Sequence, residues 1–239
     1  MEDPNWVVLD VDGVLIGVEE SYDQAVKKTT EKLLAGLGDG GDVSLKTIRA
    51  FRKKGRFGDD YRVTEGLVLA GLKGDLKKLV EEFPHGEDLG WMRSRAGRRI
   101  GENNISPIFD RLYLGGDGSP SEDGLWRQEK SLVDTSLLDK VAEQFELGFI
   151  TGRSRQELEL ASRVLNYNLP NAVTREDFRK PDPRALVQLV GEETGVYVGD
   201  TYNDRLLVEN YNEKTEGCFE FIMIDSDNSI DGVLESFLN

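Results

Sequence analysis

At 239 residues, 38% hydrophobic and 31% charged, the chain has room for one large domain, or a domain plus an insertion, with a sizeable core. A formal net charge of −15 argues against nucleic acid and anionic membranes as partners, and no apolar run approaches the length of a membrane span. One cysteine, Cys218, rules out an internal disulfide, and the one histidine, His85, between Pro84 and Gly86, reads as a turn residue, so neither a His-based zinc site nor a Ser-His-Asp triad is proposed. No positively charged, apolar leader precedes the first apolar run, which predicts a cytoplasmic protein.

That first run, Val7-Val8-Leu9-Asp10-Val11-Asp12-Gly13-Val14, reads as a buried strand ending in two carboxylates spaced i, i+2 and a glycine turn. Open α/β sheets place ligand sites at the carboxyl ends of strands, and two anions this close call for a cation or a shared proton. The plain alternative is a strand running into an acidic turn. Residues 21–34 predict a helix, with Ser21 and Gln24 spaced as a capping box. Residues 36–42 form a glycine-rich turn, and 44–54, 61–72, 75–83 and 89–99 predict further helices. Residues 51–61 are cationic within an acidic chain. They read either as a specificity loop, with Lys53 or Arg56 meeting a second anionic group, or as a solvated helix end. Glu19, Tyr22 and Asp23 lie close behind the first carboxylates and read as cleft residues, Tyr22 equally as packing. Arg93, Arg95, Arg98 and Arg99 read as a charged helix face. Residues 115–124 are a glycine-rich loop.

From residue 136 helices and strands alternate. Helix 136–145 leads to strand 147–150. Helix 154–165, with Ser154 and Glu157 as a capping box, leads to a short strand at 172–174. Helix 183–190, with proline in its first turn, leads to strand 196–198. Residues 206–211 belong to a helix, and 219–224 are a strand. This rhythm predicts an α/β fold with a doubly wound parallel sheet. Asp225-Ser226-Asp227 begins like a calcium loop, but Ile230 and Ser236 stand where that loop needs glycine and glutamate.

Three later segments complement the first. They are Leu147-Gly148-Phe149-Ile150-Thr151-Gly152-Arg153, Arg179-Lys180-Pro181-Asp182-Pro183, and Val196-Tyr197-Val198-Gly199-Asp200-Thr201-Tyr202-Asn203-Asp204. In order, spacing and residue type the four segments resemble the haloacid dehalogenase (HAD) superfamily, specifically its phosphatases. The resemblance implies a Rossmann-like core of residues 1–17 and 126–239. A mainly α-helical cap at 18–125 is inserted after the first motif, because residues 151–180 leave room only for a helix and a short strand.

The resemblance further implies that Asp10 is a nucleophile and Asp12 a general acid and base, with Thr151 and Lys180 completing the catalytic set. Asp10, the main-chain carbonyl of Asp12, Asp200 and Asp204 would hold Mg2+. Gly152 and Arg153 would lie beside the phosphate, with solvent as the alternative for Arg153. The presence of Asp12 favours phosphate esters over dehalogenase or phosphonatase chemistry. The implied function is Mg2+-dependent hydrolysis of a small phosphorylated metabolite through an aspartyl-phosphate. Two other readings stand beside it. One is a phosphosugar mutase of the β-phosphoglucomutase type, although the histidine those enzymes carry shortly after the first motif is missing here. The other is a non-catalytic phosphometabolite-binding protein, against which the intact acidic set argues.

Overall fold

A computed structural model describes residues 4–38, 42–74 and 76–238. The expected helix start at Asp75 and the middle of the expected turn at 36–42 lie outside the described residues. The chain divides into two compact units, Met1–Gly17 with Lys130–Asn239, and Val18–Glu129. The second boundary falls four residues later than the sequence suggested. Glu129 belongs with the helical unit because its buried carboxylate accepts from Ser21 Oγ and Tyr113 OH, both at 2.9 Å.

The helical unit contains α1 (Tyr22–Gly36), α2 (Leu45–Lys54), α3 (Asp60–Gly71), α4 (Leu76–Glu82), α5 (Leu89–Ala96) and α6 (Glu102–Leu114). Helix α3 is buried along nearly its whole length and runs through the middle of the unit. The predicted capping box at Ser21 does not form. Ser21 makes no side-chain cap bond, because its hydroxyl serves Glu129 instead. Helix α5 stops at Ala96, short of residue 99, because Gly97 turns left-handed at φ 67°. Helix α6 has no counterpart among the predicted elements. Pro107 inside it removes one backbone donor, yet Ile105, Phe109, Tyr113 and Leu114 bury a continuous face that holds the helix together.

Charged residues that read from sequence as cleft or surface groups are ties within this unit. Buried Asp23 pairs with Arg49 Nε at 2.7 Å and with Arg52, and Arg52 reaches Asp60 at 2.6 Å, joining α1, α2 and α3. Buried Glu65 accepts from Arg93 Nε and Nη2 at 2.9 and 2.8 Å and from the Ile100 N–H at 3.0 Å. Tyr22 stacks on Tyr113 with ring centroids 4.4 Å apart.

The other unit holds β1 (Trp6–Leu9), β2 (Ile16–Gly17), β3 (Lys130–Ser131), β4 (Glu146–Ile150), β5 (Ala172–Val173), β6 (Gly195–Gly199) and β7 (Phe219–Met223). Its helices are α7 (Thr135–Ala142), α8 (Arg155–Leu165), α9 (Arg184–Val190), α10 (Tyr202–Lys214) and α11 (Ile230–Phe237). Five strands form one parallel sheet in the order β5-β4-β1-β6-β7, while β2 and β3 pair antiparallel. The β2–β3 pair, two residues in each strand, is too short to show a sequence pattern, and α11 has no counterpart among the predicted elements. On one face of the sheet Val8, Ile150, Val173 and Tyr197 pack with Ala185, Leu186, Leu207 and Val208 of α9 and α10. The alternate residues Val7, Leu9, Phe149 and Val198 are equally buried, so both faces are covered, as a parallel sheet requires. Each such side chain contributes roughly 1.5–3 kcal/mol. Among the described residues no helix is long and apolar enough to cross a membrane.

Candidate active site

The register of the sheet sets the site. Leu9 lies level with Phe149 on one side and Val198 on the other. Asp10, Thr151 and Asp200 therefore leave neighbouring strands at the same carboxyl edge. The Asp10 N–H still donates to Val198 O at 2.9 Å, and the Thr151 N–H to Val173 O at 3.0 Å. The chain crosses back over β1 between β5 and β6, so this edge is the topological switch point of the sheet.

Asp10 is 3% exposed. Its Oδ1 accepts from the Val11 N–H at 2.7 Å, and its Oδ2 lies 2.8 Å from Lys180 Nζ. The turn beyond it depends on Gly13, at φ +77°. A Cβ there would stand 2.1 Å from Asp200 Oδ2, so the missing side chain makes the seat for the Asp200 carboxylate. Asp204 is fully buried and saturated. Its Oδ1 accepts from Lys180 Nζ at 2.6 Å and from Tyr197 OH at 3.0 Å. Its Oδ2 accepts from the N–H of Thr201 at 3.0 Å and from the Thr201 hydroxyl, closing the capping box of α10. Asp204 thus holds Lys180 and the start of α10 together. Asp10, Asp200 and Asp204 each bring a carboxylate oxygen within 4.8 Å of the others.

Burial is the largest influence on the Asp10 carboxyl and pushes its pKa well up. Lys180 opposes this, while Asp204, Asp200 and Asp12 add to it. Burial works against the Lys180 ammonium, but Asp10 and Asp204 outweigh it and hold the amine protonated. Tyr197 is pushed up by burial and then by Asp204, so its hydroxyl stays a donor. The donor set suits a hard cation. Clustered carboxylate oxygens with a crowded negative field are what Mg2+ or a similar ion takes, and a positive charge there would hold Asp10 ionised.

The Asp12 side chain is not part of that cluster. Its Oδ1 accepts from Arg153 Nε at 2.8 Å and from Nη2 at 2.6 Å. Of the two places expected for Arg153, beside the phosphate or in solvent, solvent is excluded. Its side chain is 0% exposed, drawn inward by Asp12 and by the main-chain oxygen of Glu157 at 3.2 Å. Thr151 is buried, and its hydroxyl oxygen accepts from the Arg153 N–H at 3.1 Å, which leaves its hydrogen to donate elsewhere. At Gly152 a Cβ would meet no atom within 4 Å among the described residues, so packing does not demand glycine there. Lys53 and Arg56 lie in the helical unit, both exposed, Lys53 in the last turn of α2 and Arg56 in the loop that follows.

Two participants had no clear signal in the sequence. Tyr197 looks like any core tyrosine on a strand, and nothing local marks Arg153 as the partner of Asp12. For Thr201 a signal existed, since its Thr-x-x-Asp spacing with Asp204 matches a capping pattern at a helix start.

Neither a family model nor a curated protein matches the chain. Among solved structures, phosphatase Tt82 from Thermococcus thioreducens is 45% identical, covers 98% of both chains and superposes with a TM-score of 0.80. A provisionally named phosphoglycolate phosphatase from Lactobacillus delbrueckii subsp. bulgaricus is 15% identical over 97% of this chain and 90% of its own, with a TM-score of 0.61. A provisionally named haloacid dehalogenase-like hydrolase from Bacteroides fragilis is 14% identical over 94% and 91%, with a TM-score of 0.53. The last two share the fold; the first is similar along the whole chain. The chain therefore belongs to the haloacid dehalogenase superfamily, among its phosphatases.

Proposed function

We propose that this protein hydrolyses a small phosphorylated metabolite with Mg2+, through an aspartyl-phosphate on Asp10. The observation that carries the reading is the seat of Asp10. It is a buried carboxylate at the end of the central strand, 2.8 Å from a buried ammonium and grouped with Asp200 and Asp204. A carboxylate so placed is fitted to attack phosphorus. Mg2+, when bound, supplies the positive charge that lets an anionic nucleophile approach an anionic phosphate. Asp10, Asp200 and the main-chain carbonyl of Asp12 would hold it, with Asp204 behind them.

An oxygen of Asp10 forms the new bond to phosphorus while the bond to the leaving oxygen breaks. Asp12 gives that oxygen a proton. Asp12 then takes a proton from the water that attacks the phosphorus, which releases phosphate and restores the Asp10 carboxylate. Lys180 offsets charge on the transferring group, and Thr151 donates its hydroxyl hydrogen to it. Gly152 leaves room for the phosphate to come close.

The test is a phosphate-release screen of the whole protein over phosphoglycolate, sugar phosphates, nucleotides and histidinol phosphate, with Mg2+ and with EDTA. Release that depends on Mg2+ is expected. Full activity in EDTA overturns the metal dependence. Binding without release across the panel supports the non-catalytic reading, and isomerised sugar phosphate supports the mutase.

A further inference from the structure

We infer that Arg153 is the positioning residue for the acid–base carboxylate, holding Asp12 so that its proton meets the oxygen of the leaving group. The inference rests on the hydrolytic reading above. The Arg153 side chain is 0% exposed while that of Asp12 is 25% exposed, so the carboxylate and not the guanidinium faces solvent. The guanidinium lies behind and the carboxylate in front. Both N–H contacts, from Nε at 2.8 Å and Nη2 at 2.6 Å, converge on Oδ1. The opposite oxygen, Oδ2, is the one that carries the exchanged proton.

The clamp is itself anchored. Arg153 Nη1 donates to the main-chain oxygen of Glu157 at 3.2 Å, and the Arg153 main-chain oxygen accepts from the Arg175 N–H at 3.1 Å. Buried Glu157 closes the capping box of α8 by accepting from the Ser154 N–H at 2.6 Å, and it pairs with Arg175. One tight turn thus delivers Thr151 toward the phosphate and Arg153 beneath Asp12. Two N–H groups of one planar guanidinium hold Oδ1 in a narrower position than an ammonium on a flexible stem would. Proton transfer needs that alignment, since the donor must lie within hydrogen-bond reach of the departing oxygen.

The test uses two esters of different leaving-group quality. Phenyl phosphate departs poorly and needs the proton, whereas 2,4-dinitrophenyl phosphate departs readily without it. For Arg153→Met, kcat/KM on phenyl phosphate should fall on the order of 100-fold, and on 2,4-dinitrophenyl phosphate less than about 5-fold. Arg153→Lys, which keeps charge and most of the volume, should show the same bias to a smaller degree and covers the case in which the methionine variant does not fold. In an Asp12→Asn background, Arg153→Met should lower the phenyl phosphate rate by no more than about twofold, because the two residues act as one unit. Equal losses on both esters, no loss on either, or full additivity with Asp12→Asn would overturn the inference. A wild-type protein that releases phosphate from no monoester would instead end the hydrolytic reading, and this inference with it.

Discussion

Lys180 Nζ lies 2.8 Å from Asp10 Oδ2, and the two side chains are 9% and 4% exposed. An ion pair this dry is held by its geometry, and its removal leaves an uncompensated charge. In Lys180→Met, Asp10 and Asp204 lose their shared ammonium. The variant should be destabilised by about 3–5 kcal/mol in urea titrations without metal, and phosphate release should be lost. A variant as stable as the wild type would show that Lys180 does not bear on this charge cluster.

Asp10→Asn should abolish turnover with the far-ultraviolet circular dichroism unchanged. Its stability should also report the sign of the Asp10 shift. Burial, opposed by Lys180 and reinforced by Asp204, Asp200 and Asp12, raises the carboxyl above its unfolded value. The native state then binds the proton more tightly than the unfolded chain. Stability therefore falls as pH rises from about 3.9, the unfolded value, through the raised native value. In EDTA the Tm of Asp10→Asn minus that of the wild type should grow from about pH 4 to about pH 7. A constant difference over that range would contradict the shift.

Mg2+ should raise the Tm of the wild type with increasing concentration, by the equivalent of about 2.7 kcal/mol at a hundred times its Kd. Asp200→Asn should remove most of this rise. An equal rise in both proteins would place the ion elsewhere.

Two glycines of the site should respond in opposite ways. At Gly13 a Cβ would lie 2.1 Å from Asp200 Oδ2 on a backbone at φ +77°, so Gly13→Ala should displace that carboxylate and weaken the Mg2+-induced rise in Tm. At Gly152 a Cβ meets nothing within 4 Å among the described residues, so Gly152→Ala should change stability by less than about 0.5 kcal/mol. Its KM for a phosphate ester should nevertheless rise several-fold, because the methyl occupies space left for the phosphate. Unchanged kinetics in Gly152→Ala would remove that glycine from the binding surface.

Much of the core is legible in the sequence. The apolar runs at Val7-Val8-Leu9 and Val196-Tyr197-Val198, each followed by glycine and aspartate, mark strands entering turns at one edge. The capping box at Ser154 and Glu157 formed as spaced. Two expectations failed for particular reasons: Ser21 gave up its cap to Glu129, and α5 ended early where Gly97 turns left-handed. Helix α6, unannounced by any pattern, carries Pro107 on the burial of Phe109 and Tyr113.

Local order therefore told where the carboxylates stand along the chain, since strand period, turn residues and capping patterns act over a few residues. It could not tell what each carboxylate faces. Arg153 meets Asp12 across 141 positions, Ser21 meets Glu129 across 108, and Lys180 meets Asp204 across 24. Such pairings follow from which buried donor and acceptor the packed sheet and helices bring within bonding distance. No pattern within a few residues encodes that choice, because burial leaves a polar group unable to turn to water and compels it to take the partner the fold supplies.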